Sequence, residues 1–253
     1  MKFAVVIPSR YASSRFPGKP LVDILGKSMI QRVYENSSKS EIISDVIVAT
    51  DDSRIENHVK EFGGNVIMTS SEHKSGTDRC TEVVEKFMLQ NSKYNYDDVI
   101  INVQGDEPFI NPEQINAVAE CFKDKDVKIA TLAKQITDIN ELISPNVVKV
   151  IYDNNDYAIY FSRTPIPFQR GVAHDNWLNN HKYYKHIGIY AYRMSTLLEI
   201  ARLEASSFEK AESLEQLRWI QNSYKIKIKI TDYENIAIDT PEDLNKIKRV
   251  DYL

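Results

Sequence analysis

Short apolar runs rich in β-branched residues alternate with helical periods along the first half of the chain, and this alternation restricts the fold more than any other feature. Residues 3–7 (Phe-Ala-Val-Val-Ile), 46–49, 66–68 and 99–103 read as buried strands. Between them, Met29, Ile30 and Val33 mark one face of a helix over 29–38. Ile55, Val59 and Phe62 recur at helical spacing, with Gly63 placed to end that helix. Ser75 and Asp78 form a capping-box start, and Cys80, Val83, Val84 and Phe87 make the apolar face behind it. Strand–helix–strand repetition of this kind predicts an α/β fold with a mostly parallel sheet.

The rhythm continues and then breaks. Asn111-Pro112-Glu113-Gln114 opens another helix, and a strand is expected over 127–132. Residues 147–152 and 157–161 are rich in β-branched and aromatic types. The polar turn 153–156 joins them, so they predict a hairpin. The stretch 168–182 is polar and irregular and reads as a mobile loop. An aromatic strand over 183–193 follows, then a helix over 211–219 with Leu214 and Leu217 inward. Residues of about 140–222 therefore read as a smaller lobe inserted into a single α/β domain. Strands over 226–230 and 236–238 return to the main pattern. Thr240, Pro241 and Asp243 then fit the N-cap, N1 and N3 positions of a last helix.

The 253 residues suffice for one large core with a small appendage. A net charge of −4 does not favour nucleic acid, so any anion site must be local. Cys80 and Cys121 have neither metal-type spacing nor a disulfide framework and read as reduced core residues. No signal peptide and no long apolar run is visible, which leads to the expectation of a cytoplasmic protein without membrane contact.

Chemistry concentrates at the strand ends, where open α/β sheets bind ligands. Behind the first strand, the loop 9–20 carries Arg10, Arg15 and Lys19 among small residues. Backbone N–H groups and fixed cations there suit a polyphosphate, although a solvated basic loop would read similarly. The loop is not a P-loop: Pro20 follows Gly18-Lys19, and no glycine lies five residues earlier. Behind the strand 99–103 comes Gln104-Gly105-Asp106-Glu107-Pro108. Asn111 already caps the next helix, which leaves Asp106 available as a hard oxygen ligand for Mg²⁺. A turn-capping role is the alternative. By the same reasoning, once Thr240 and Asp243 serve their helix, Asp239 at a strand end is the second candidate ligand. Arg79, His186 and Glu215 read equally as surface or locally satisfied residues on pattern alone.

Five segments, in order, resemble the sugar-activating nucleotidyltransferases, and among them the 3-deoxy-manno-octulosonate (Kdo) cytidylyltransferases. They are Arg-Tyr-Ala-Ser-Ser-Arg-Phe-Pro-Gly-Lys-Pro from Arg10, Ser-Gly-Thr-Asp-Arg from Ser75, Val-Gln-Gly-Asp-Glu-Pro from Val103, His-Ile-Gly-Ile-Tyr from His186, and Asp-Thr-Pro-Glu-Asp-Leu from Asp239. The resemblance spans the chain from Ile7 to Leu244. It implies a three-layer αβα sandwich with a mixed, mostly parallel Rossmann-like sheet, of the nucleotide-diphospho-sugar transferase type. The inserted lobe would then serve sugar binding and dimerisation.

The implied reaction joins CTP and Kdo to give CMP-Kdo and diphosphate, with Mg²⁺ as cofactor, for lipopolysaccharide or capsule synthesis. The resemblance implies Pro8, Arg10, Ala12, Ser13, Ser14, Arg15, Lys19, Ser75 and Arg79 around the nucleotide. It puts Gln104, Arg163, His186, Tyr190, Glu215 and Gln216 around the sugar, with the sugar carboxylate near Arg163 or His186. Arg10, Lys19, Asp106 and Asp239 would carry catalysis, the two aspartates through the metal. A homodimer through the inserted lobe is also implied. A related keto-deoxy sugar, such as 8-amino-Kdo or a nonulosonate, and a non-catalytic nucleotide-sensing module are the competing readings.

Overall fold

A computed structural model describes residues 1–12, 16–90, 93–234, 238 and 240–247, with side chains through 244 in the last stretch. In chain order, β1 (Phe3–Ser9) leads to a small hairpin, β2 (Asp23–Ile24) and β3 (Lys27–Ser28). Then follow α1 (Met29–Ser38), β4 (Ile43–Thr50), α2 (Ser53–Glu61), β5 (Val66–Met68), α3 (Gly76–Val83) and β6 (Val99–Asn102). Next come α4 (Pro112–Glu120), β7 (Ile129–Gln135), α5 (Ile139–Ile143), β8 (Lys149–Tyr152), β9 (Ala158–Ser162) and α6 (Trp177–Asn180). The chain finishes with β10 (Tyr184–Arg193), α7 (Met194–Ile200), α8 (Ser207–Glu212), α9 (Gln216–Gln221), β11 (Ile226–Ile230) and α10 (Pro241–Ile247). The fold is α/β with a mixed, mostly parallel set of strands, as the alternation predicts.

Two compact units divide the chain. The first holds Met1–Asn116, Tyr192–Ala201 and the described part of 235–253; the second holds Ala117–Ala191 and Arg202–Glu234. The expected lobe of about 140–222 overlaps the second unit, whose span begins earlier and ends later, and residues 192–201 pack with the first.

In the first unit β1 lies between two parallel neighbours, β4 and β6, and β5 pairs with β4 on the far side. Ala4, Val5, Val6 and Ile7 are all fully buried, as a strand covered on both faces requires. The chain first winds outward from β1 through β4 to β5. It then crosses back to β6 on the other side of β1. This reversal opens a crevice between the loops that leave β1 and β6. Gly105 keeps those loops close: a Cβ there would sit 2.8 Å from the carbonyl oxygen of Pro8.

Local signals behave as the sequence indicates. Ser75 and Asp78 complete a reciprocal capping box on α3. Asp52 accepts from the Arg54 N–H to start α2, and Gly63 takes a left-handed φ of 79° just beyond its end. Thr240 and Asp243 cap α10 reciprocally. Cys80 and Cys121 are free and buried. Of the strand expected over 236–238, only Ile238 is described; Asp239, Ser13, Ser14 and Arg15 also lie outside the described residues. Ile238 packs with Ile24, Met29 and Leu244, and its N–H donates to the Asp106 carbonyl at 3.1 Å.

In the second unit β7 pairs with β11 in parallel, whereas β8–β9 and β8–β10 are antiparallel. The β8–β9 hairpin is the one expected from the aromatic runs. Residues 168–182 hold more structure than the expected loop. Trp177 is 3% exposed and packs with Ile136, Leu142 and Tyr183, stacking on the Tyr183 ring at 6.0 Å. Its indole N–H donates to the Val172 carbonyl at 3.0 Å. A polar stretch is thus pinned by one aromatic anchor, a pattern that periodicity does not detect.

Candidate active site

The crevice at the ends of β1 and β6 is a cleft of about 250 Å³. Pro8, Ser9, Arg10, Lys19 and Pro20 form one wall. His73, Lys74, Ser75, Gly76 and Arg79 form another, and Gln104, Gly105 and Asp106 form the floor. All belong to the first unit. Of the nucleotide residues inferred from sequence, Pro8, Arg10, Lys19, Ser75 and Arg79 meet here, together with Asp106 and Gln104. Ala12 is exposed in the loop beyond Arg10.

Lys19 Nζ donates to Asp106 Oδ2 at 2.7 Å. The Lys19 side chain is 12% exposed and that of Asp106 30%. Each group therefore holds the other at the cleft surface in a ready position, a cation for phosphate oxygens and a hard oxygen for a metal. Gly18 makes this possible from the loop side. Its left-handed φ of 72° turns the chain, and its N–H returns to the Tyr11 carbonyl at 3.1 Å. Among the described residues no group of three or more potential ligands forms a metal site. Mg²⁺ sites that lean on substrate phosphates need only one or two carboxylates, so Asp106 fits that chemistry.

Arg79 is not the solvated arginine that its position allowed. It is 3% exposed, bonded to Thr69 Oγ1 and, at 3.0 Å, to Asp51. Asp51 sits directly behind β4, so the guanidinium ties that strand end to the start of α3.

The remaining sugar residues inferred from sequence lie in the second unit. The His186 ring stands 5.1 Å from that of Tyr190, with Phe161 edge-on at 5.2 Å. Burial lowers the His186 pKa to about 3, so the ring is neutral. Thr131 Oγ1 donates to the Ile189 carbonyl at 2.6 Å and keeps a lone pair for His186 Nε2 at 3.0 Å. That arrangement makes Nε2 the protonated nitrogen. A neutral ring offers a sugar hydrogen bonds, not charge. Burial and the Glu215 charge raise the Tyr190 phenol well above its ordinary pKa, leaving it a neutral hydroxyl.

Arg163 is engaged by backbone: Nε donates to the Glu212 carbonyl at 2.7 Å, and the terminal nitrogens donate to Pro145 and Ser213 carbonyls. It braces the turn after α8, where Ser213 takes a left-handed φ of 52°. Half-buried Glu215 and buried Gln216 follow immediately at the start of α9.

Sequence reasoning passed over Glu82, whereas His73 opens the segment 73–79 that the family resemblance puts along the nucleotide pocket. Glu82, 8% exposed, bonds to His73 Nε2, to the Ser70 N–H at 2.8 Å and to Lys86 at 2.7 Å. Burial alone would raise its pKa, but these partners outweigh burial and bring it down to about 2. The return of Glu82 from the far end of α3 to His73 had no signal in the sequence.

A family model described as cytidylyltransferase matches residues 4–230. The 3-deoxy-manno-octulosonate cytidylyltransferase of Parabacteroides distasonis is 54% identical over 250 residues, covering 97% of this chain and 96% of its own. The enzyme of the same name from Bacteroides thetaiotaomicron is 55% identical over 247 residues, covering 96% of each chain. A solved structure of CMP:2-keto-3-deoxy-manno-octonic acid synthetase complexed with CTP superimposes with a TM-score of 0.89 at 41% identity, covering 98% of both chains. A 4-diphosphocytidyl-2C-methyl-D-erythritol synthase, 12% identical with a TM-score of 0.64, shares the fold alone. With a cation- and carboxylate-lined cleft at the sheet's switch point and these relatives along nearly its whole length, the chain belongs to the 3-deoxy-manno-octulosonate cytidylyltransferase family.

Proposed function

We propose that the protein transfers the cytidylyl group of CTP to Kdo, giving CMP-Kdo and diphosphate. The observation that carries this reading is the Lys19–Asp106 pair on the floor and wall of a cleft that Arg10 also lines. CTP binds with its phosphates against Arg10 and Lys19 and its nucleoside toward the 73–79 wall. Pro8, Ala12, Ser13, Ser14 and Arg15 complete its surroundings, and Ser75 and Arg79 support that wall. The anomeric hydroxyl of Kdo attacks the α-phosphorus in line. A new O–P bond forms, the bond to the β-phosphate oxygen breaks, and diphosphate leaves with the electron pair. The hydroxyl proton passes to solvent.

Such a reaction depends on positioning and charge neutralisation more than on a protein nucleophile. Arg10 and Lys19 offset the charge that grows on diphosphate. Asp106, with Asp239, would hold Mg²⁺, which when bound supplies charge neutralisation at the α-phosphate and lowers the pKa of the attacking hydroxyl. Gln104, Arg163, His186, Tyr190, Glu215 and Gln216 serve the sugar. His186 and Tyr190 would act there as neutral hydrogen-bonding groups. Arg163 holds the turn that carries Glu215 and Gln216.

The chain works as a homodimer through the inserted lobe of about 140–222 and acts in the cytoplasm. No helix among the described residues is long and apolar enough to cross a membrane. The test is diphosphate release from CTP with a panel of Kdo, 8-amino-Kdo and a nonulosonate. Release with Kdo at least tenfold above the others supports the reading; release only with a nonulosonate overturns the choice of sugar.

A further inference from the structure

The wall formed by residues 73–79 includes a ring nitrogen acceptor whose role the reaction above does not use. His73 is 20% exposed on the cleft, and its Nε2 is bonded to Glu82. Among the described residues its Nδ1 has no partner. Glu82 is an ionised carboxylate that accepts the Ser70 N–H and the Lys86 ammonium as well. A carboxylate has no proton to give, so Nε2 must be the donor. In the neutral ring this leaves a lone pair on Nδ1. Lys86 already offsets Glu82, and Arg10, Lys19, Lys74 and Arg79 crowd the same cleft with positive charge.

Of the other side chains on this wall, Lys74 and Arg79 offer only N–H donors. Ser75 Oγ accepts the Asp78 N–H at 3.1 Å. Arg79 has two guanidinium nitrogens on Thr69 and Asp51. A nucleotide with its phosphates at Arg10 and Lys19 therefore meets His73 with its base.

We propose that His73 is a base-specificity residue: Nδ1 accepts the 4-amino N–H of cytosine and repels the 4-keto oxygen of uracil. Glu82 is its positioning residue, fixing the tautomer and the ring plane from α3. This assignment rests on the reading of the cleft as a CTP site. The chemistry is a donor-against-acceptor distinction at one ring position, the kind of contact that separates the two pyrimidines. The residue gains specificity from its partner, because a ring free to turn or to exchange tautomers would accept either base.

The experiment compares kcat/KM for CTP and UTP, with Kdo saturating, in wild type, His73→Leu, Glu82→Ala and Glu82→Gln. Both nucleotides are measured on the same preparation, so the folded fraction cancels in the ratio. The expected result is a preference for CTP in wild type that falls about tenfold or more in His73→Leu, the scale of one lost hydrogen bond plus one relieved repulsion. Glu82→Ala lowers it similarly through a raised KM for CTP with little change in kcat. Glu82→Gln, which keeps an acceptor oxygen, restores part of it. A CTP:UTP ratio within twofold of wild type in His73→Leu overturns the assignment, as does a wild type that uses both nucleotides equally. A wild type that turns over neither nucleotide contradicts the CTP reading itself, and the assignment with it.

Discussion

Asp106 shows how one residue can be placed by backbone and tuned by a neighbour. Its carbonyl accepts the Ile238 N–H at 3.1 Å, and its side chain meets Lys19 at 2.7 Å, so neither the backbone nor the carboxylate is free to wander. The carboxylate is at the surface of the cleft and not in the core. Asp106→Asn should therefore leave the fold unchanged by circular dichroism and lower kcat by about 100-fold or more, the scale of losing a key electrostatic group. Near-normal turnover would remove the metal role from this position. His186 makes a different, pH-linked contribution. Its imidazole is held at about 3 against an ordinary 6.5. As pH falls below 6.5 the unfolded chain takes up a proton that the folded protein refuses. Stability is thus lost progressively between 6.5 and about 3 and is fully present above 6.5. Urea denaturation at pH 7.5 and pH 5.0 should show a smaller loss for His186→Gln than for wild type; an equal loss would mean that the ring is protonated in the fold.

At the level of elements, the strand ends dominate. β1 and β6 deliver Arg10 and Asp106 to one crevice because the register Val5↔Ile101 runs in parallel, so both strands end on the same side. Gly105 permits the final approach. Gly105→Ala would force a Cβ to 2.8 Å from a backbone oxygen, which has no rotamer with which to yield. The loop should shift, and activity should fall at least about tenfold while the melting temperature changes little, since a small misplacement of reacting groups is costly. An unchanged kcat/KM would show that the loop tolerates the added carbon. These elements were legible in sequence. α1 occupies Met29–Ser38 and β11 Ile226–Ile230, the spans expected from periodicity, and the caps at Ser75 and Thr240 were readable because capping uses residues close in sequence. The illegible parts share one physical cause, dependence on distant partners. Arg79 is buried by Asp51 and Thr69, residues 28 and 10 positions away. Glu82 reaches His73 across the length of α3, and Trp177 structures a polar stretch by packing on Ile136 and Leu142. No local pattern encodes such pairings.

Across the whole molecule, the proposed roles follow the two units. The cleft residues proposed for the nucleotide lie in the first unit, and Arg163, His186, Tyr190, Glu215 and Gln216, proposed for the sugar, lie in the second. CTP affinity should therefore tolerate changes in the second unit. His186→Ala is expected to raise the KM for Kdo while leaving the CTP dissociation constant within about threefold, under about 1 kcal/mol. Loss of CTP binding with sugar binding spared would reverse the assignment. The most direct measurement of the central claim is ³¹P NMR of the wild-type protein with CTP, Kdo and Mg²⁺. The expected result is loss of the three CTP resonances with equal growth of one phosphodiester signal, CMP-Kdo, and of diphosphate. Release of CMP and diphosphate without the phosphodiester, or CTP left intact, would contradict it.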